Sequence, residues 1–207
     1  MGITRPFLRD MPSEWIGSRI VLRRWRDEDA QPLFDAIMES QGRLRQWMPK
    51  GPSISQSWAD TYHSVDDAIE FVRRQSGHWA LHEHIGLGIF AEETGTLLGS
   101  IGMRVNDTKL LIVELGYWIR TSAEGQGYVS EAARQVTMFA FEGLGAQRVQ
   151  IRCDARNQRS KAVPERLGFL FEGCHRRDSL GTDGTIRDTL VYAMIPEDFA
   201  RVRETWE

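Results

Sequence analysis

The sequence predicts a single α/β (α+β) domain, a mixed sheet with helices on both faces. Three observations carry that expectation. In mid-chain the runs 86–92 and 96–105 flank Glu93-Thr94-Gly95, the signature of a β-hairpin. Beyond Arg120 the pattern changes to helical spacing, with Val129, Ala132, Ala133, Val136, Phe139 and Ala140 on one face and Arg134 and Gln135 turned away. From there to Met194, strand and helix patterns alternate, which requires helices packed on a sheet.

Each element follows in order. Residues 20–25 (Ile-Val-Leu-Arg-Arg-Trp) read as the first strand, after an extended arm that carries Trp15. Asp27 is expected to cap a helix with apolar residues Leu33, Phe34, Ile37 and Met38. Residues 41–63 are rich in Gly, Pro, Ser and Trp and read as a short helix around Leu44 to Met48 and a loop. Ser64 with Asp67 opens another helix through Ala68, Ile69 and Val72. The hairpin comes next, then a strand over 111–119, the helix opened by Gly127 and a strand over 148–153. A short helix over 160–167 and strands over 169–174 and 188–194 complete the reading. No linker, repeat or low-complexity block interrupts it, so residues 1–18 are read as an N-terminal arm and 19–207 as the domain.

Composition narrows the function classes. Lys and Arg number 26 against 29 Asp and Glu, a net charge of -3, without the basic excess of a nucleic-acid binder. No apolar run approaches the ~20 residues of a membrane span, and the N-terminus lacks the apolar core of a signal peptide. A cytoplasmic protein with no nucleic-acid or membrane partner is expected. Cys153 and Cys174 have neither metal-ligand nor disulfide-framework spacing, so both are expected as buried free thiols and no metal is expected.

The chemistry is concentrated between Glu114 and Ala132. A strand ends near Arg120, a glycine-containing loop follows, and Gly127 opens a helix. First-turn N–H groups have no internal partner and the helix dipole favours negative charge, so such a junction can hold an anion. Gly125 and Gly127 let the backbone approach a phosphate closely. By spacing alone an ordinary strand-to-helix turn stays equally open. A dinucleotide fingerprint is excluded because Ser130 stands where its last glycine belongs, and no Gly-Lys-Ser/Thr of a P-loop follows.

Here the sequence resembles the GNAT acyltransferases. Glu124-Gly-Gln-Gly127-Tyr-Val129 is similar to the family's acyl-CoA motif Q/R-x-x-G-x-G/A. The run from Asn157 through Ser160 to Leu167-Gly-Phe169 resembles its Asn-x-x-Ser…Leu-Gly-Phe segment. Residues 20–25 with Asp27-Glu-Asp29-Ala30 resemble the opening strand and helix of the ribosomal-protein-alanine N-acetyltransferases of the RimJ/RimL type. The resemblance runs from about Arg19 to Met194. It implies a mostly antiparallel sheet splayed at the acyl-CoA site, between the strands over 111–119 and 148–153. Pantetheine would pair there with the backbone at Leu115, Tyr117, Trp118 and Ile119, facing Asn157 and Ser160. The pyrophosphate would meet the amides of Gly125, Gln126, Gly127, Tyr128 and Val129, with the Ser130 hydroxyl added and the Glu124 carboxylate nearby. Two departures stand out: Glu124 replaces the usual Gln or Arg, and Pro164 replaces the Tyr of many relatives.

The implied activity is transfer of an acyl group, acetyl first, from CoA to a primary amine such as a protein N-terminus or a small amine, through a tetrahedral intermediate. A succinyl or other acyl donor is the alternative, for which Arg152, Arg156 and Arg176 are available; a non-catalytic acyl-CoA-binding module is another. A base must collect the ammonium proton. Glu114 is the first candidate, with Asp178, Asp188, His63 and His175 behind it. With the phenol absent, Ser160 is left to offer a hydroxyl to the departing sulfur, or to serve as a plain helix N-cap. An N–H near Leu115 would meet the oxyanion. Trp25, Trp79 and Trp118 are expected in core or strand positions, while Trp47, Trp58 and Tyr62 are open to a cleft, a subunit contact or the core. A homodimer is the branch expectation.

Overall fold

The strands are β1 (Glu14–Ile16), β2 (Ile20–Arg24), β3 (His84–Ala91), β4 (Leu97–Asp107), β5 (Ile112–Ile119), β6 (Arg148–Asp154), β7 (Leu170–Leu180) and β8 (Ile186–Met194); burial alternates along β5 and β6, whereas β3 is buried on both faces and β7 is largely exposed. Helical spacing builds α1 (Ala30–Trp47), α2 (Val65–Leu81), α3 (Tyr128–Met138), α4 (Gln158–Arg166) and α5 (Pro196–Val202). The computed structural model describes residues 12–48, 57–81, 84–181 and 183–206. Its strands form one sheet in the order β1-β2-β3-β4-β5-β6-β8-β7. Every pairing is antiparallel except β5 with β6.

The two faces of the sheet carry separate cores. On one, Leu87, Ile89, Ile101, Met103, Val113, Leu115 and Ile151 meet Ala132, Ala133 and Val136 of α3 and Ala140 of the π-helical turn that follows it. These alanines bring α3 close to the strands. On the other, Leu33, Ile37 and Leu44 of α1 and Ala68 and Val72 of α2 cover Trp25, Phe90 and Trp118. Each fully buried Leu or Ile contributes roughly 1.5–3 kcal/mol, which is why the two helix faces decide the fold.

Several elements depart from the sequence reading. Asp27 is not the cap of the first helix: it pairs with Arg73, and Asp29 instead accepts the Arg26 N–H at 2.8 Å, at the head of a 3-10 turn that leads into α1. Arg23 holds Asp29 there with two bonds of 2.7 and 2.8 Å. The short helix at 44–48 is the end of α1, which runs unbroken through Gly42. A helical glycine costs about 1 kcal/mol against alanine, less than burying Leu44 returns. Most of the expected loop, residues 49–56, lies outside the described residues. The arm is in part a strand, since β1 pairs with β2 and puts Trp15 edge-on to Phe139. Strand β7 extends to Leu180, and α5 was not anticipated; it begins at Pro196, and Phe199 stacks on Phe141 at 4.7 Å. Ser64 with Asp67 does open α2, the carboxylate accepting the His63 and Ser64 N–H groups at 2.8 Å. Cys153 is buried, whereas Cys174 is exposed rather than buried as expected; both are free thiols.

The feature that positions the site is the β5–β6 junction. The two strands pair only from Ile112/Arg148 to Leu115/Ile151. Beyond that, β5 continues to Ile119 beside β4, and β6 continues to Asp154 beside β8. The strands diverge, and each presents main-chain donors and acceptors to the gap.

Candidate active site

The gap opens into a cleft of about 280 Å³. Its walls are Tyr117, Trp118 and Ile119 of β5, the loop and first turn of α3, α4, and the last turns of α1. Gly127 adopts φ 84° and ψ 1° and precedes α3 without a side-chain cap. Gly125 is also left-handed, at φ 77°. A Cβ costs about 1–2 kcal/mol in that region, so glycine at both positions is a backbone requirement. The first turn of α3, through Tyr128, Val129 and Ser130, lines the cleft.

Charge is arranged around this anion-ready end. Arg166 of α4 donates to Ser130 Oγ at 2.8 Å, which places a cation beside the first turn of α3 and leaves the Ser130 hydroxyl proton available. Glu124 pairs with Arg159 of α4 and approaches Arg43 of α1 at 4.0 Å. Its carboxylate is thus neutralised by two cations that also line the cleft. With Arg166 the lining carries three arginines against one carboxylate.

Farther along, Asn157 rather than Ser160 caps α4: its side chain accepts the Ser160 N–H at 3.1 Å. The Tyr117 hydroxyl donates to the Ser160 carbonyl at 3.1 Å, while Ser160 Oγ lies 3.4 Å from the same phenol. Pro164, four residues on, has no N–H to give that carbonyl, so the phenol supplies the missing donor. Burial pushes the Tyr117 phenol well above its ordinary value. Its proton is engaged by the Ser160 carbonyl, a contact that ties β5 to α4. Cys153, beside the Ser160 hydroxyl, is pushed up to about 11 by burial.

Of the residues expected to contact the donor, Tyr117, Trp118, Ile119, Glu124, Gly125, Gly127, Tyr128, Val129, Ser130, Asn157 and Ser160 line the cleft. Leu115 and Gln126 do not: Leu115 is buried in the core, and the Gln126 carbonyl accepts from Arg19 on the outer side of the loop. Glu114 lies where the strands begin to part, on the α1 and α2 face with Gly116 and Trp118. Its carboxylate accepts from Arg104, Asn106 and Gln150 at 3.0, 3.2 and 2.7 Å, and it borders the cleft rather than lining it. Asp178 is held by Arg152 and Thr189, Asp188 by the Arg177 N–H, and neither they nor His63 and His175 line the cleft.

Residues 19–170 match the acetyltransferase (GNAT) domain family. The chain belongs to the GNAT acetyltransferases. This GNAT protein is an N-acetyltransferase and is 34% identical over 186 residues to YdaF of Bacillus subtilis (strain 168), by provisional name a ribosomal N-acetyltransferase, with 89% of this chain and 95% of YdaF covered. It is 26% identical to the ribosomal-protein-serine acetyltransferase of Escherichia coli (strain K12), over 87% of this chain and 94% of that protein. Mycobacterium smegmatis RimJ, solved in complex with CoA-disulfide, shares the fold with a TM-score of 0.77 at 22% identity, over 90% and 88% of the two chains.

The GNAT cleft also contains residues that sequence reading missed. Arg159 and Arg166 are seven apart, two turns of α4, so their common face was legible in the motif. Arg43, Leu44 and Met48 carried no such signal, because only packing carries α1 across the splay, while Trp47, open by sequence to a cleft, a subunit contact or the core, lines the cleft. Arg187 of β8 fixes that crossing by donating to the Gln46 carbonyl at 2.8 Å. Trp58 and Tyr62 belong to the core, edge-on at 5.0 Å. Among the described residues, no group of three His, Cys, Asp or Glu is placed to hold a metal ion, and no helix is long and apolar enough to cross a membrane.

Proposed function

We propose that the cleft binds acetyl-CoA and that the acceptor is the N-terminal α-amine of a ribosomal protein. The observation that carries the donor half is the splay itself, with the Gly125–Val129 junction at one end and Ser160 near the other. Strand edges without each other as partners suit the amides of pantetheine, and the left-handed glycines, α3 N-terminus, Ser130 and Arg166 suit a pyrophosphate. When bound, acetyl-CoA supplies the activated acyl group. Tyr117 sets the first turn of α4, and Ser160 offers a hydrogen bond to sulfur. Glu114 takes the proton of the entering ammonium through water. Gly116, with no atom within 4 Å of where a Cβ would stand, leaves room for that amine on the same face. The names of YdaF and the Escherichia coli relative support the acceptor. A domain over 19–207 with an arm over 1–18, and a cytoplasmic homodimer, go with this reading.

The succinyl alternative is disfavoured, because Arg152 and Arg156 are paired with Asp178 and Asp154, and neither they nor Arg176 line the cleft. Calorimetric titration with acetyl-, succinyl- and free CoA, followed by mass spectrometry of ribosomal-protein N-terminal peptides, tests the proposal. Binding of acetyl-CoA and acetylation of an α-amine are expected. Thiol release at background over the whole peptide panel sinks the acceptor assignment. Glu114→Gln should lower kcat while leaving acetyl-CoA affinity intact; an unchanged kcat removes Glu114 from the proton path.

A further inference from the structure

Arg19 stands just ahead of β2, more than a hundred residues from the loop that opens α3, yet it touches that loop at every level. Its Nε donates to Glu131 Oε2 at 3.0 Å and its Nη1 to the Gln126 carbonyl at 2.9 Å. Its guanidinium lies 5.0 Å from the centre of the Tyr128 ring. Glu131 is 6% exposed and also accepts the Arg19 N–H at 3.0 Å and the Ser18 hydroxyl at 3.2 Å. One face of Gly127 is turned to the same guanidinium, whose Nη2 would be 3.5 Å from a Cβ there. Arg19 and Gln126 do not line the cleft, whereas Gly125 and Gly127 do.

The torsions of Gly127, 84° and 1°, are those of the third residue of a type II turn. Types I and II differ chiefly in the direction of their middle peptide, here Gln126–Gly127. In a trans peptide the C=O and N–H point opposite ways. With the carbonyl fastened to Arg19 outside, the Gly127 N–H faces the cleft. The flipped arrangement would aim a carbonyl oxygen at the site of an anion.

We propose that Arg19 is a positioning residue for donor binding, one that fixes the Gln126–Gly127 peptide in its anion-accepting orientation without touching the donor. This rests on the reading that the Gly125–Val129 junction takes the pyrophosphate of acetyl-CoA. The charge is half-spent on Glu131, so the guanidinium acts through geometry. A lysine in its place has one nitrogen and cannot hold Glu131 and Gln126 together in the same fork.

The test compares acetyl-CoA with acetyl-pantetheine, a donor that keeps the thioester and lacks the pyrophosphate, in wild type, Arg19→Gln and Arg19→Lys. For acetyl-CoA, KM is expected to rise at least about tenfold in Arg19→Gln, with kcat little changed and Arg19→Lys in between. For acetyl-pantetheine, kcat/KM is expected to stay at the wild-type level in both variants. Parallel losses on the two donors, or loss of folding in both variants by thermal melting, would mark Arg19 as merely structural and overturn the proposal. An unchanged KM for acetyl-CoA would overturn it equally. If wild type shows no affinity for CoA at all, the underlying site reading fails instead, a distinct result.

Discussion

The Tyr117 hydroxyl donates to the Ser160 carbonyl at 3.1 Å, and Pro164 stands where the N–H for that carbonyl would otherwise come from. The cleft wall thus joins β5 to α4 through a phenol that compensates for a proline. Tyr117→Phe leaves the carbonyl unsatisfied and should cost about 1–3 kcal/mol in urea unfolding. Pro164→Ala restores an N–H, so the double variant should lose less than the sum of the single losses. Additivity within about 0.5 kcal/mol would show that the two residues are not coupled.

Glu124 occupies Arg159 and Arg43 at the anion-ready end of the cleft. Glu124→Gln removes a carboxylate that competes with phosphate for both. Acetyl-CoA affinity by calorimetry should rise several-fold, and the gain should shrink as salt increases. Weaker binding in the variant would mean that the carboxylate orients the arginines instead.

Glu39 ties α1 to the turn between β5 and α3, accepting from Arg120 Nε at 2.9 Å and from the Ser122 N–H at 2.8 Å. The Arg120 hydrogen bond, against the opposing effect of burial, brings its carboxyl down to about 2. A depressed folded-state value contributes stability above the unfolded value, and that contribution is lost as pH falls toward the folded one. Glu39→Gln should therefore be less stable than wild type at neutral pH. The difference should shrink from about pH 4.5 and vanish near pH 2. A constant difference across that window would remove the ion pair as its origin.

The two thiols should be distinguishable. Burial pushes Cys153 up to about 11, while Cys174 lies exposed on β7. Titration with a chromogenic disulfide at pH 8 should find one fast thiol per native chain and two after denaturation. Cys174→Ser should remove the fast one. Two fast thiols in the native protein would contradict the burial of Cys153.

Much of the architecture was legible in the sequence because it is written in local periods. The hairpin at 93–95, the apolar face of α3 and the Ser64–Asp67 start of α2 depend on residues within a few positions of each other. So do the left-handed glycines, since a tight turn before a helix demands them at 125 and 127. The sequence by itself determined most of the strand and helix alphabet and the glycine-bearing junction that opens α3, but not β1, α5 or the Asn157 cap of α4. Tertiary structure alone decided what meets there. Arg19 reaches Gln126 across the sheet, Arg187 draws the end of α1 over the splay, and the phenol of Tyr117 stands in for the N–H that Pro164 lacks. Helical and strand periods report which face of an element is buried, whereas the partner of that face depends on strand order and on how far β5 and β6 stay paired, and no local pattern encodes either.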